Sequence, residues 1–450
     1  MKDTLFPLGE PVEKKQEENR RGAPRVLTPE RNQVEMVMRD LESTVPAEHV
    51  ARVIWDFAKG LNLGPLYAEI KSVEGRAGRP ASDPRVYLAL WMLAVVEGVG
   101  SARKVAELCE RHDAYRWLCG GVPVNYHTLS DFRVGHGELL DELLTSSVAC
   151  LMSEGLVTLN RVAQDGVRIR ASAGAASFRR EETLRRCLAE AKAQVEALKR
   201  ETHDDPAAAS RREVAARKRA AEERVRRVAA ALAHLPDVAS KKKGTAEEKK
   251  KKARVSTTDP EARVMKMADG GFRPAYNGQF ATDTESLVIV GVDASNSGSD
   301  AGKLPPMTDQ IETRYGRVPG ETLVDGGFAG HRDIEAATWR GTTVYAPVMQ
   351  PKDATRDPHA PLPEDSAVIA EWRRRMGTEA AKQVYKDRAA TAECANADAR
   401  NHGLQRFTVR GEKKARCVLL LHALAHNMMR AVSLRAQVRS GSPALAVATA

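Results

Sequence analysis

The sequence predicts a mixed protein: an all-helical N-terminal region, then an α/β region interrupted by a basic helical hairpin. Three observations predict it. Apolar residues recur at three- and four-residue spacing through 28–155, the signature of helices with one buried face. After residue 158 the texture changes to short, β-branched, alternating segments that read as strands, with helical segments between them. Interrupting this second texture, residues 179–255 hold 23 Lys and Arg against 13 Asp and Glu, an excess equal to the chain's whole net charge of +10.

In the helical region the periodic segments are VEMVMRDLESTV, HVARVIWDFAKGL, RVYLALWMLAVVEGV and DELLTSSVACLM. Pro80 and Pro84 frame the start of one helix, with Ser82 or Asp83 as its cap, and Gly98 and Gly100 close it. SARKVAELCERHDAYRWLCGGVPVNYHTLSDFRVGH reads as a helix, a turn at Gly120 and Gly121, and a helix begun near His127. That layout is expected of a helix-turn-helix reader, with Arg103, Lys104, His127 and Arg133 toward phosphate or base edges; an ordinary packed helical pair would look the same.

LNRVAQDGVRIRA is a strand carrying Asp165. The segment 179–255 reads as two helical stretches broken at THDDP (202–206) and HLPD (234–237), with a polar tail, KKKGTAEEKKKKARVSTTDP, expected to be mobile. AYNGQFATD and LVIVGVD then form a hairpin. PMTDQIETRYG is a helix, ETLVDGGF a strand entering a Gly-rich turn, HRDIEAATWRG a helix and TTVYAPV a strand; residues 350–364 are a loop before a long helical stretch from about 366 to 402. The expected division is a flexible tail over 1–27, a helical domain over 28–155, an α/β domain in two parts, 156–178 and 256–435, the basic helical insertion 179–255 between them, and a flexible tail over 436–450.

The composition, 42% hydrophobic and 29% charged, is that of a globular protein. Residues 86–96, VYLALWMLAVV, are too few for a bilayer that needs about 20 apolar residues, so no membrane span is expected. The N-terminus lacks a secretory pattern, and six scattered cysteines without a CxxC pair suit reduced thiols in a cytoplasm. A basic block suits either a polyanion or a solvated helical face.

Three carboxylates stand out by position: Asp165 in a strand, Asp325 at a strand end before Gly326 and Gly327, and Glu393 in a helix. Separations of 160 and 68 residues place them in different elements, so only a fold could gather them. Carboxylates suit Mg²⁺, a hard ion preferring oxygen ligands, and two such ions roughly 3.5–4 Å apart would serve in-line phosphoryl transfer. A lone carboxylate is more often a surface charge or a cap, so the claim rests on context. Tyr385, Arg388, Glu393 and Arg400 fall within about 140° of one helix at ~100° per residue. Such a face offers guanidinium forks for phosphate and a ring for stacking on a base.

YKDRAATAECANADAR resembles the signature helix of insertion-sequence DDE transposases: Tyr, two residues, Arg, a short gap, Glu, six residues, Lys, with Arg400 in the Lys place. It departs in having Cys394 and small residues after the Glu. RVAQDGVRIRASAG resembles the family's first-Asp strand, YNGQFATD its central hairpin, LVDGGFAG its second-Asp turn and LLLHALAHNMMR its closing helix. GRPASDPRVYLALWML and NYHTLSDFR resemble the all-helical N-terminal domain of one large subgroup, which also carries a basic helical insertion; the resemblance covers roughly residues 30–432.

The resemblance implies a ribonuclease-H-like α/β catalytic domain and Asp165, Asp325 and Glu393 as the metal triad, holding two Mg²⁺ ions for which Mn²⁺ substitutes. It implies that Tyr385, Arg388 and Arg400 hold DNA near the cleavage site, and that the partners are double-stranded DNA, both element ends and target, and further copies of the chain in a synaptic complex. The expected activity is cleavage and strand transfer at terminal inverted repeats, in the cytoplasm and associated with the nucleoid. The alternative is a catalytically silent, transposase-derived DNA-binding protein.

Overall fold

The computed structural model describes residues 32, 36, 38–75, 79–204, 211–351, 353 and 355–440, and side chains of the same residues except 201–204, 211 and 212. The chain divides into two units, Met1–Asp40 and Leu41–Ala450. In the first, the described residues form no regular element. Most of VEMVM, the start of the first expected helix, lies outside the described residues; the rest of that segment holds only a single 3₁₀ turn, Glu42–Thr44.

Among the described residues the second unit then has seven helices: α1 (Val50–Gly60), α2 (Gly64–Ala68), α3 (Pro84–Val96), α4 (Ala102–Arg111), α5 (Asp113–Cys119), α6 (Tyr126–Gly135) and α7 (Gly137–Ser153). Asp83 caps α3 by accepting from the Arg85 amide, with Pro84 at the first helical position where its missing N–H costs nothing. Ten of the thirteen α3 residues are buried, and an all-apolar helix has no other stable place. The segment expected as one helix before Gly120 is two, because His112 adopts an extended conformation between α4 and α5.

Next come β1 (Arg161–Arg170), β2 (Phe178–Arg179), α8 (Glu181–Asp204), α9 (Arg211–Ser240), α10 (Ala246–Lys252) and β3 (Val255–Ser256). Two expectations are corrected here. HLPD does not break α9, which runs through Pro236. Val228, Ala231, Leu235 and Val238 are buried with Leu184 and Val255, and packing on both sides of the proline offsets its cost of about 3 kcal/mol. The polar tail is structured as well: Thr245 and Glu248 form a reciprocal capping box that starts α10, and β3 pairs antiparallel with β2.

The remaining elements are β4 (Arg263–Lys266), β5 (Phe272–Asp283), β6 (Ile289–Ser295), α11 (Leu304–Tyr315), β7 (Glu321–Leu323), α12 (His331–Trp339), β8 (Thr343–Tyr345), α13 (Ala367–Met376), α14 (Glu379–Asn401) and α15 (Glu412–Ser440). The stretch expected as one helix from 366 to 402 is split at Gly377 and Thr378, whose hydroxyl caps α14. Among the described residues six strands form one sheet in the order β4-β5-β1-β7-β8, with β6 also paired to β5. β4, β5 and β6 join antiparallel, β1 is antiparallel to β5, and β7 and β8 run parallel to β1.

α15 is long and apolar enough to cross a membrane, but 67% of its most apolar window is buried within the protein. It packs against α3, α6 and α7 on one side and β5 and β6 on the other, so the helical region and the sheet share one hydrophobic core. Its Asn427 donates to the Ile289 carbonyl and accepts from the Ile289 amide, both at 2.8 Å, satisfying backbone where the β5–β6 register shifts.

The same helix carries a titratable cluster. His426 ring nitrogens lie 2.8 Å from Asp398 and from the Leu287 carbonyl, and His402 pairs with Asp398 at 3.2 Å. Burial holds the His422 imidazole down to about 3. Below pH 6.5 the unfolded chain binds a proton at this residue that the folded chain refuses until about pH 3, so stability falls as pH drops through that window, by at most ~1.4 kcal/mol per pH unit. Asp398, held well below the usual carboxylate range by its two histidines against the opposing effect of burial, loses its contribution only in the acid limb below the ordinary Asp value. His402, raised by Asp398, contributes stability that is lost as pH rises above 6.5. Urea unfolding at pH 7, 6 and 5 should therefore show a fall toward acid that His422→Leu flattens; an unchanged slope in the variant would remove His422 as its source.

Candidate active site

β1 lies at the centre of the sheet, and Asp165 is mid-strand, paired across to Phe280 of β5. On the other side β7 runs parallel in the register Ala163 to Leu323, which brings Asp325, two residues beyond, level with Asp165. β7 ends there because Gly326 and Gly327 turn the chain: the Gly327 amide donates to Asp325 Oδ1 at 2.8 Å.

The two carboxylates feel each other. Burial raises Asp165 above the ordinary Asp range, repulsion from Asp325 and Asp300 adds to it, and the Gly166 amide and Arg388 oppose it. Asp300, in the β6–α11 loop and 6% exposed, is a third acid that sequence reasoning missed. It accepts from Asn277 Nδ2 at 2.7 Å, from Gln279 Nε2 at 2.8 Å and from Arg168 at 3.3 Å. Gly166 must be glycine in this arrangement, since a Cβ would lie 2.4 Å from Asp300 Oδ1 and within 2.7 Å of both amides. A signal for the cluster existed: Asn277 and Gln279 alternate on one face of the buried strand β5, and buried amides need partners.

α14 crosses this site. Arg161 ties it to the sheet by pairing with Glu321 of β7 and Asp387 of α14, each at 2.6 Å. Tyr385 donates to the Val324 carbonyl at 3.1 Å, immediately before Asp325. Arg388 lies 5.9 Å from the Tyr385 ring centroid, and its Nη1 is buried without a hydrogen-bond partner. Asn396 donates from Nδ2 to Asp165 Oδ2 at 2.9 Å, and its Oδ1 is buried with no partner. Glu393 is one turn before Asn396 and exposed, with no hydrogen bond or ion pair among the described residues. Arg400 is exposed, its Nε donating to the Asn396 carbonyl at 3.2 Å.

The structure thus brings together Asp165, Asp325, Tyr385 and Arg388 of the residues singled out from the sequence, leaves Glu393 and Arg400 at the rim, and adds Asp300 and Asn396. Among the described residues no group of three or more His, Cys, Asp and Glu is arranged to hold a metal ion.

In the helical region, Ser101 caps α4 and Asn125 caps α6, which brings Arg103 5.2 Å above the Tyr126 ring, itself 4.0 Å from the His127 ring. Arg103, Lys104 and His127 are exposed, and Lys104 pairs with Glu107 at 3.1 Å. Arg133 is placed differently from the sequence expectation. It is 5% exposed, donates to the Gly100 carbonyl at 2.6 Å and to Thr408 at 3.0 Å, and stacks 4.5 Å over Trp91. Burial lowers its guanidinium to about 10. It ties the helical region to the segment after α14 and has no free face for DNA. All six cysteines are free thiols.

Residues 39–135 match the model of the family described as Transposase domain (DUF772), and residues 359–432 match that described as Transposase DDE domain. No curated protein and no solved structure matches the chain. The second match takes in all of α14, with Tyr385, Arg388, Glu393, Asn396 and Arg400. With one transposase-domain match among the N-terminal helices and a DDE-domain match over the helix that crosses the paired aspartates, the two matches support an insertion-sequence DDE transposase.

Proposed function

We propose that this transposase binds the terminal inverted repeats of its element and catalyses metal-dependent strand cleavage and strand transfer. The observation that carries the proposal is the level placement of Asp165 in β1 and Asp325 two residues past the end of the adjacent parallel β7, with the DDE-domain helix closing over them through Asn396, Tyr385 and Arg388. The sheet supports a ribonuclease-H-like catalytic domain: three antiparallel strands, β6, β5 and β1, continue into parallel β7 and β8. In this reading 28–155 is the DNA-binding domain, 156–178 and 256–435 form the catalytic domain, and 179–255 is an insertion.

The donor set fits Mg²⁺. Two mutually repelling carboxylates, one of them raised by burial, are stabilised by a divalent cation, and oxygen ligands are what this ion prefers. Asp165, Asp325 and, from the rim, Glu393 would hold it; when bound, the metal activates a water or a DNA 3′-hydroxyl and stabilises the leaving oxygen. The chain's own residues do the positioning. Asn396 and the Gly166 amide fix the two oxygens of Asp165, Arg388 presents an unsatisfied guanidinium nitrogen toward the aspartates, and Tyr385 holds α14 to the strand end. Arg388 and Arg400 suit the phosphates of the cut end, and Arg103, Lys104 and His127 form the exposed patch for reading the repeat. The protein works in the cytoplasm at the nucleoid, as an oligomer that pairs two ends.

The exposure of Glu393, one turn away from the residue that touches Asp165, favours one alternative, a silent DNA-binding descendant. A labelled element-end duplex discriminates. Cleavage and strand transfer should appear with Mg²⁺ or Mn²⁺ and vanish with EDTA, whereas stable binding without cutting in either metal would select the silent protein.

A further inference from the structure

Beside β1 runs a groove of about 580 Å³. It opens at Gly166, next to Asp165, and continues along the strand to Arg170, with the β4–β5 turn on one wall and Arg400, Leu404 and Gln405 on the other. Five residues of strand cover ~17 Å at about 3.3 Å each, the axial length of about five base pairs.

Its charge is one-sided. Arg168, Arg170, Lys266, Arg273 and Arg400 line it against the single acid Asp269. Arg168 is committed to Asp300 and the Gly298 carbonyl, and Arg273 to Asp269 at 2.7 Å. Arg170 and Lys266 are exposed, and their side chains make no hydrogen bond or ion pair among the described residues. Arg170 and Arg273 both act on Asp269, so the cations outnumber the one acid of the groove, and that excess suits an external polyanion. The lining contains no aromatic ring, and rings are what hold unpaired bases by stacking. Arg and Lys contacts to phosphate position a duplex without reading its sequence.

A strand-transfer enzyme handles two duplexes, an element end recognised by sequence and a target that is not. Resting on the function proposed above, we infer that this groove is a sequence-independent track for the phosphate backbone of the target duplex, leading it to Asp165. The occupant is generic double-stranded DNA, and Arg170 and Lys266 are its principal contacts.

The test is Arg170→Ala with Lys266→Ala in the full chain. Binding to a duplex lacking element ends should weaken, and the slope of log binding constant against log salt should fall by about 1.8, the release of two phosphate contacts. Element-end cleavage should stay within about twofold of wild type while strand transfer falls at least about tenfold at 0.15 M salt. Both side chains are exposed, so the melting temperature should not change, and the charge-keeping pair Arg170→Lys with Lys266→Arg should restore transfer. An unchanged salt slope overturns the assignment. So does an equal fall in cleavage and transfer, which would make the groove a seat for the element end. If wild type neither cuts nor joins and the slope still drops, the duplex track stands and the transposition chemistry falls.

Discussion

Asp165→Ala and Asp325→Ala are each expected to bind an element-end duplex like wild type and to lose cleavage by about 10³-fold or more. A bound metal ion supplies several kcal/mol of charge stabilisation in phosphoryl transfer, and every 1.36 kcal/mol is tenfold in rate. The two carboxylates are adjacent through strand register rather than loop chance, so neither has a ready substitute. The fold should tolerate both changes. Asp165 is half-buried and repelled by Asp325 and Asp300, and removing one of three like charges relieves a cost as well as losing the bonds to Asn396 and Gly166. Melting temperatures near that of wild type would therefore accompany the loss of cutting. Cleavage by either variant at close to the wild-type rate would remove that aspartate from the site. Glu393→Ala in the same assay reports whether the rim carboxylate joins the aspartates when metal and DNA are present: loss of cutting with retained binding places it in the triad, and retained cutting keeps it outside.

Gly403→Ala is expected to be the most damaging single-methyl change to the fold. Gly403 has φ +81°, and a Cβ there would lie 2.6 Å from the Gly98 carbonyl oxygen and 3.0 Å from Gly98 backbone carbons. The obstacle is backbone, which cannot rotate away. The contact joins the end of α3 to the end of α14, beside the place where Arg133 and Thr408 both donate to the Gly100 carbonyl. Strain at positive φ costs about 1–3 kcal/mol and overpacking about 1–3 more, so destabilisation of about 2–6 kcal/mol is expected, read as a lower urea midpoint. Gly60→Ala, at the end of α1 with nothing within 4 Å of the added methyl, is the control and should be neutral. Equal stability of the two variants would mean that the α3–α14 contact opens without cost.

Much of the fold was legible before any coordinates. The Asp83–Pro84 start of α3, the β5–β6 hairpin and the alternation from α11 to β8 all come from capping chemistry, alternation and turn residues, which act over a few neighbours. The misreadings share one cause. Pro236 breaks an isolated helix but not one whose Val228, Leu235 and Val238 are buried in a shared core. Arg133 sits on a helix face that could equally meet water or a neighbour, and what meets it is Trp91, Gly100 and Thr408, the last 275 residues away in the chain.

The candidate site divides in the same way. The signature around Glu393, the Asp325–Gly326–Gly327 turn and the β-branched strand of Asp165 are local patterns, and the sequence by itself determined that this chain carries them, together with its helical start, its basic middle and its resemblance to DDE transposases. Only the tertiary structure decided that Asp165 stands level with Asp325, that Asp300 is enclosed by Asn277 and Gln279, and that Asn396 rather than Glu393 touches Asp165. The physical reason is that helix periodicity, caps and turns are energies between near neighbours, whereas strand register and helix rotation are set by which distant surfaces bury together. Here that choice is made by α15, whose buried faces draw the N-terminal helices and the sheet onto a single core.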